Sequence, residues 1–250
     1  MSVRQLSSMT WEEVRDLDRQ TAVVVLPVGA IEAHGPHLPL STDVIISEAM
    51  ARSASELLVD NGYEVVVAPT IQYTPAGFAS GFQGTISIGT ATLQAMLRDI
   101  ATSLAEHGFT TLAIANAHLD PAHLSAIDAF ASDPSLPLKV VFPNLARRRF
   151  AARLTEEFQT GACHAGRFET SIVQAERADL VREELRRDLA PNPVSLSEAI
   201  GNGATRFEEI GGDRAYFGFP AHASAAEGHT SVETLGAILA DAVMESFDGT

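Results

Sequence analysis

Cysteine is almost missing from this chain: Cys163 is the single one in 250 residues. That excludes an internal disulfide framework and suits a reducing compartment. Cations are scarce too. Seventeen lysines and arginines face 32 aspartates and glutamates, for a formal net charge of -15, which argues against nucleic acid or an anionic membrane as the main partner. No apolar run is long enough to cross a bilayer, and the opening "MSVRQLSSMTWEEVRDL" holds no apolar stretch of signal-peptide type. Neither a lysine-bearing phosphate loop nor G-x-G-x-x-G occurs, so a nucleotide-binding reading has nothing to rest on. No linker rich in proline, glycine or serine divides the chain. The expectation is a soluble, cytoplasmic protein of one domain, residues 1–250, whose 46% hydrophobic residues suffice for a sizeable core.

What is present follows a repeated syntax. Thr10 and Glu13 have capping-box spacing, so a short first helix is expected there. "AVVVLP", Ala22 to Pro27, reads as a buried strand. "VIISEAMARSASELL" sets Ile46, Ala49, Met50, Ser53, Ala54, Leu57 and Leu58 on one helical face, and the helix should stop at Asn61-Gly62. "EVVVAP" follows as a strand. Leu93, Met96, Leu97, Ile100 and Leu104 then line a helix ending at Gly108, ahead of the strand "TTLAIANA". A helix over "PAHLSAIDAFA" leads to "LKVVFP". Thr230 and Glu233 again have capping-box spacing, before a final amphipathic helix. Helix, glycine and apolar strand in alternation mark parallel βαβ units with strands buried on both faces. The fold class is α/β: a three-layer α/β/α sandwich with a mainly parallel central sheet.

In such sheets, ligands bind beyond the carboxyl ends of the strands. Two of those ends are crowded with metal-capable groups. "EAHGPHLPLSTD" carries Glu32, His34, His37 and Asp43, and "HLD" after the "TTLAIANA" strand carries His118 and Asp120. Glu32 and His34 are two apart, as are His118 and Asp120, and in extended backbone such positions project to the same side. Each loop can therefore offer one nitrogen and one oxygen ligand, and Asp43 has two oxygens with which to bridge two ions. Mixed imidazole and carboxylate donors suit zinc, manganese or iron rather than calcium. Each residue also has an ordinary structural role open to it: Asp43 as a helix N-cap, His118 as a hydrogen-bonded core histidine, His37 as a brace for its loop. Together, at two strand ends, they favour metal.

"LPVGAIEAHGPHLPLSTD" resembles the signature segment of the creatininase family of metal-dependent amidohydrolases. "GTISIGTATL", "HAGRFETS" and "GFPAHASAAEG" resemble later blocks of that family in the same order. The resemblance implies an α/β/α fold, a two-metal centre and assembly as a homo-oligomer, commonly a hexamer. It implies one metal on Glu32, Asp43 and His118, and a second on His34, Asp43 and an acidic residue. Asp120 stands where creatinine-hydrolysing members place a glutamate ligand, one methylene longer, and Glu169 is the alternative. The glycines that many members carry around this histidine are absent from "NAHLDPAH". The family's substrate tryptophans have no counterpart either, since Trp11 lies far from every motif, which argues against creatinine itself.

The expected activity is hydrolysis of a C–N bond in a small amide or cyclic amide, a non-peptide bond, by a metal-activated water. His164 is the candidate proton donor to the departing nitrogen, with Glu169 orienting it or binding metal and His37 in support. The alternatives are a formamide deformylase or small-peptide hydrolase of the same family, and a catalytically impaired metal-binding member. Cys163 beside His164 reads as buried packing rather than a nucleophile. "RRR", Arg147 to Arg149, reads as a solvated helix face before an anion site. The glycines Gly77, Gly81 and Gly84 suggest a loop bordering a pocket around Leu119 and Phe168.

Overall fold

The structure, a computed structural model, describes residues 2–248. Its strands are β1 (Arg4–Gln5), β2 (Ala22–Val28), β3 (Glu64–Val67), β4 (Thr111–Asn116) and β5 (Lys139–Val141). They form one sheet in the spatial order β1-β3-β2-β4-β5, parallel throughout. The longer helices are α2 (Thr42–Asp60), α3 (Thr90–Glu106), α4 (Pro121–Ala131), α7 (Arg167–Arg177) and α10 (Ala225–Asp248). Shorter ones are α1 (Trp11–Arg15), α5 (Arg148–Ala151), α6 (Glu156–Thr160), α8 (Glu183–Arg187) and α9 (Leu196–Gly201).

Side-chain alternation along β2 builds two cores. Val23 and Val25 pack with Ile46, Met50 and Leu58 of α2 and with Leu235 and Leu239 of α10. Val24 and Leu26 face the other way, onto Leu93 and Leu97 of α3 and Ile127 of α4. Both faces of the sheet are thereby covered, and the expected three-layer sandwich results. Each such aliphatic side chain contributes about 1.5–3 kcal/mol on burial, which is why these strands read as unbroken apolar runs.

Most expected elements lie where periodicity and turn residues put them. The Thr10–Glu13 capping box is formed in both directions. Not every apolar position in the helical stripes is covered: Leu57 and Met96 are exposed at 37% and 39%. One start differs. α10 begins at Ala225, and Thr230 lies inside it, its hydroxyl donating to the Ala226 carbonyl. The serine before the helix does the capping instead, Ser224 Oγ accepting the Glu227 N–H at 3.3 Å. Gly228 allows this early start: a Cβ there would lie 1.9 Å from the Ser171 carbonyl oxygen of α7.

From β2 the chain moves outward to β3, then returns across β2 to β4. The reversal leaves a crevice beyond the carboxyl ends of β2 and β4, the usual place for a ligand in a doubly wound sheet.

Candidate metal centre

The loop after β2 and the start of α2 meet because of one glycine. A Cβ on Gly29 would lie 2.7 Å from the Val44 nitrogen, so only glycine lets the first turn of α2, with Asp43, close on the strand end. The loop is tied by Glu32 N–H donating to the Leu40 carbonyl at 3.0 Å. Across the crevice, β4 delivers His118. On a third side, the turn before α7 delivers His164 and α7 itself delivers Glu169. Ala165, between them, has a φ of 49°, a left-handed conformation that costs a non-glycine residue roughly 1–2 kcal/mol.

These side chains converge. Asp43 Oδ1 lies 3.3 Å from His34 Nε2, and Oδ2 lies 3.0 Å from His118 Nδ1, so its two oxygens face two different imidazoles. Glu32 Oε1 is 3.3 Å from His118 Nδ1 and 3.8 Å from His34 Nε2. Glu169 Oε2 is 3.5 Å from His34 Nε2. Three sets of ligand atoms each lie within 4.8 Å of one another: Glu32, Asp43 and His118; His34, Asp43 and Glu169; Glu32, His34 and His164.

The imidazoles are oriented by backbone. His118 Nε2 bonds the Pro75 carbonyl at 2.7 Å, His34 Nδ1 the Glu32 carbonyl at 3.1 Å, and His164 Nε2 the Ala33 carbonyl at 3.0 Å. A carbonyl only accepts, so each of these nitrogens carries the proton and the other, in the neutral ring, presents a lone pair to the carboxylates. His34 Nε2 and Asp43 Oδ2 are buried with no hydrogen-bond partner, a cost of about 1–3 kcal/mol for each such group. A cation beside each would remove it. The donor set fits divalent zinc, manganese or iron.

Left to themselves, these groups compete for protons. Burial alone would lower His34, but Asp43, Glu169 and Glu32 outweigh it and push the ring up to about 10. Burial also opposes charge on His118, yet Glu32 and Asp43 raise it well above its ordinary value. Burial pushes Glu169 up to about 8 despite His34. Asp43 is buried as deeply, but His34 and His118 hold it well below the carboxylate range. Divalent cations can take the place of those protons, with proton release on binding.

The creatininase family model, described as creatinine amidohydrolase, matches residues 7–243. The chain belongs to the creatininase family. It is 31% identical to a mycofactocin precursor peptide peptidase of Mycolicibacterium smegmatis over 220 residues, 86% of this chain and 81% of that one. It is also 31% identical to a creatinine amidohydrolase of Pseudomonas putida, over 121 residues, 46% of this chain and 45% of that one. A solved creatininase in a manganese form shares the fold with a TM-score of 0.69 at 23% identity, covering 98% of this chain and 99% of that one.

Within this creatininase-family site, the structure brings together Glu32, His34, Asp43, His118, His164 and Glu169. It leaves Asp120 outside the cluster. Asp120 Oδ1 accepts the Ala122 and His123 N–H groups at 2.8 and 3.4 Å, capping α4, and Oδ2 accepts the Phe78 N–H at 3.2 Å. The two-apart rule fails there because the chain is already turning into a helix with a proline at its first position. Asp43, by contrast, lies inside α2 and makes no cap bond. His37 is a brace: Nε2 bonds Thr170 Oγ1 at 2.9 Å, tying its loop to α7.

Other supports are not apparent from motif spacing. Asn116 holds the His118 carbonyl at 2.8 Å and His123 Nε2 at 2.7 Å, and the His123 ring meets His118 edge-on. Buried Glu157 accepts the backbone N–H groups of Arg167, Phe168 and Phe219 at 2.9, 2.7 and 2.7 Å, fixing the start of α7. Polar side chains beside a histidine of the cluster and at a helix start are the only signals that could have marked them.

Above this floor lies a cavity of about 550 Å³, bordered by Phe78, Leu119, Phe158, Leu196, Ile200 and Phe207 among others. Phe168 instead packs in the core, edge-on to Phe158. Cys163 is buried beside the cavity, and burial raises its thiol well above the ordinary range, so it remains protonated and is no nucleophile.

Proposed function

We propose that this chain hydrolyses the C–N bond of an amide over a pair of divalent ions that share Asp43. Glu32, Asp43 and His118 would hold one ion; His34, Asp43 and Glu169 would hold the other. The observation that carries this reading is the division of Asp43 between two imidazoles, at 3.3 and 3.0 Å, on the floor of a cavity. Two such ions supply a Lewis acid for a carbonyl oxygen and a water acidic enough to give hydroxide near neutral pH.

The chain's own residues do the rest. His164 is kept neutral, well below its usual range, by burial first and then by His34. With Nε2 fixed on Ala33, its Nδ1 lone pair faces Glu32 at 3.7 Å. Nδ1 is therefore placed to accept a proton from the attacking water and return it to the departing nitrogen. Water oxygen adds to the carbonyl carbon, the C–N bond breaks, and one proton moves by way of His164, giving an acid and an amine. Phe78, Leu119, Phe158, Leu196, Ile200 and Phe207 give the cavity an apolar wall for the rest of the substrate.

A small amide or cyclic amide is the leading substrate class. A peptide amide is the second, favoured by the similarity to a peptide peptidase over 86% of the chain and by a cavity without tryptophan, Trp11 being 72% exposed on α1. The test is metal analysis of protein stripped and reloaded with zinc or manganese, with turnover of lactams, formamides and short peptides. Two ions per chain with hydrolysis of any class supports the reading. Fewer than one ion per chain with no turnover refutes it.

A further inference from the structure

One group bordering the cavity has no part in the chemistry above. Arg148, at the start of α5, is the one lysine or arginine that borders it, and it is exposed. Its neighbours are engaged: Arg147 Nη2 pairs with Asp128 Oδ1 at 2.9 Å, and the Arg149 guanidinium lies 4.2 Å from the centre of the Phe150 ring. Among the described residues, the Arg148 guanidinium makes neither hydrogen bond nor ion pair, although the Arg148 carbonyl accepts the Ala152 N–H at 3.0 Å. The one carboxylate bordering the cavity outside the metal floor, Asp120, has both oxygens on backbone N–H groups.

We propose that Arg148 reads a carboxylate on the substrate. The inference rests on the amide-hydrolase reading and narrows it to acylated amino acids. The amide carbonyl would lie over Glu32, Asp43 and His118, an apolar side chain against Phe158, Leu196 and Ile200, and the free carboxylate on the guanidinium. Three features agree. Arginine's planar fork matches a carboxylate in two parallel hydrogen bonds. About 550 Å³ is a volume typical of ligands larger than a single small ring. An acidic protein that admits an anion needs a local cation to offset its own field. The same chemistry could come from a free N-acyl amino acid or from the end of a peptide.

The test compares matched substrates with wild type, Arg148→Ala and Arg148→Lys, all metal-loaded. One pair is N-acetyl-leucine and N-acetyl-leucinamide; the other is a hexapeptide ending in leucine, with a free or an amidated terminus. Wild type is expected to prefer the acid of at least one pair by about tenfold to a hundredfold in kcat/KM, mainly through KM. In Arg148→Ala the acid-to-amide ratio should fall toward one, and Arg148→Lys should recover part of it. The pair that shows the preference identifies the source. An unchanged ratio in Arg148→Ala, or a wild type indifferent to the carboxylate, overturns the proposal. Calorimetric binding of the same acids and amides runs alongside. If acids bind selectively through Arg148 but nothing is cleaved, the hydrolase reading fails and the carboxylate site stands; if they bind without selectivity, the carboxylate site fails by itself.

Discussion

The loop after β4 and the turn into α7 each offer the crevice a histidine and an acidic residue, and they use the acids in opposite ways. After β4, His118 joins the cluster while Asp120 is taken by three backbone N–H groups. At α7, both residues join: Glu169 lies 3.5 Å from His34 and His164 lies 3.7 Å from Glu32. Both carboxylates are buried, at 7% and 5% exposure. What separates them is how much of each the backbone claims. Asp120, just before a helix whose first N–H groups need an acceptor, has both oxygens on backbone N–H groups. Glu169, in the first turn of α7, gives one oxygen to the Ala165 N–H at 2.6 Å. A carboxylate whose two oxygens are both held by amides has little left for an ion; one held through a single oxygen still has.

The contrast can be broken in several places. The largest effect is expected outside the pair: Asp43→Ala should abolish turnover and lower metal content at both positions, measured by plasma mass spectrometry. Retained metal with a modest loss of stability would return Asp43 to a structural role. Next, Glu169→Gln should remove about one ion per chain and cut kcat by two orders of magnitude or more. Asp120→Ala should keep both ions and lower the melting temperature by several degrees, a lost cap and an unpaired Phe78 N–H together costing about 2–3 kcal/mol. Reversed outcomes would mean that Asp120 binds the ion and Glu169 only caps its helix.

His164→Ala should slow kcat by roughly 10²–10⁴ with metal content intact; marked metal loss would make it a ligand, as its place in the third set allows. The smallest effect belongs to Asp133, just beyond the end of α4 and in contact with solvent. Its carboxyl is held well below the usual range by Arg98 first and then Ser135. A depressed carboxyl stabilises above its unfolded value, and the contribution disappears as pH falls through the folded one. Asp133→Asn should therefore shift melting by only about 1–2 °C at pH 7, and progressively less on acidification.

Much of this was legible in the chain. Alternating valines in "AVVVLP" and the helix–glycine–strand rhythm lead directly to a parallel sheet, and the cluster at two strand ends follows from that sheet. The site was less legible where local and distant demands compete. Asp120 has the right spacing for a ligand and the right position for a cap, and only coordinates show which wins. Glu157 has no motif, because its three amide partners come from two segments, at Arg167–Phe168 and at Phe219. The capping-box pattern at Thr230 was outcompeted by an earlier serine, once a glycine let α10 approach α7 closely.

α10 packs against both α2 and α7, and so holds in place the two helices that carry Asp43 and Glu169. A ribosome makes both of those helices before it reaches residue 225. During synthesis those two helices therefore precede the one that packs on both, and full assembly of the cradle is expected to wait for α10. Truncating or loosening that helix should be felt first as poor loading with metal, well before the sheet itself comes apart.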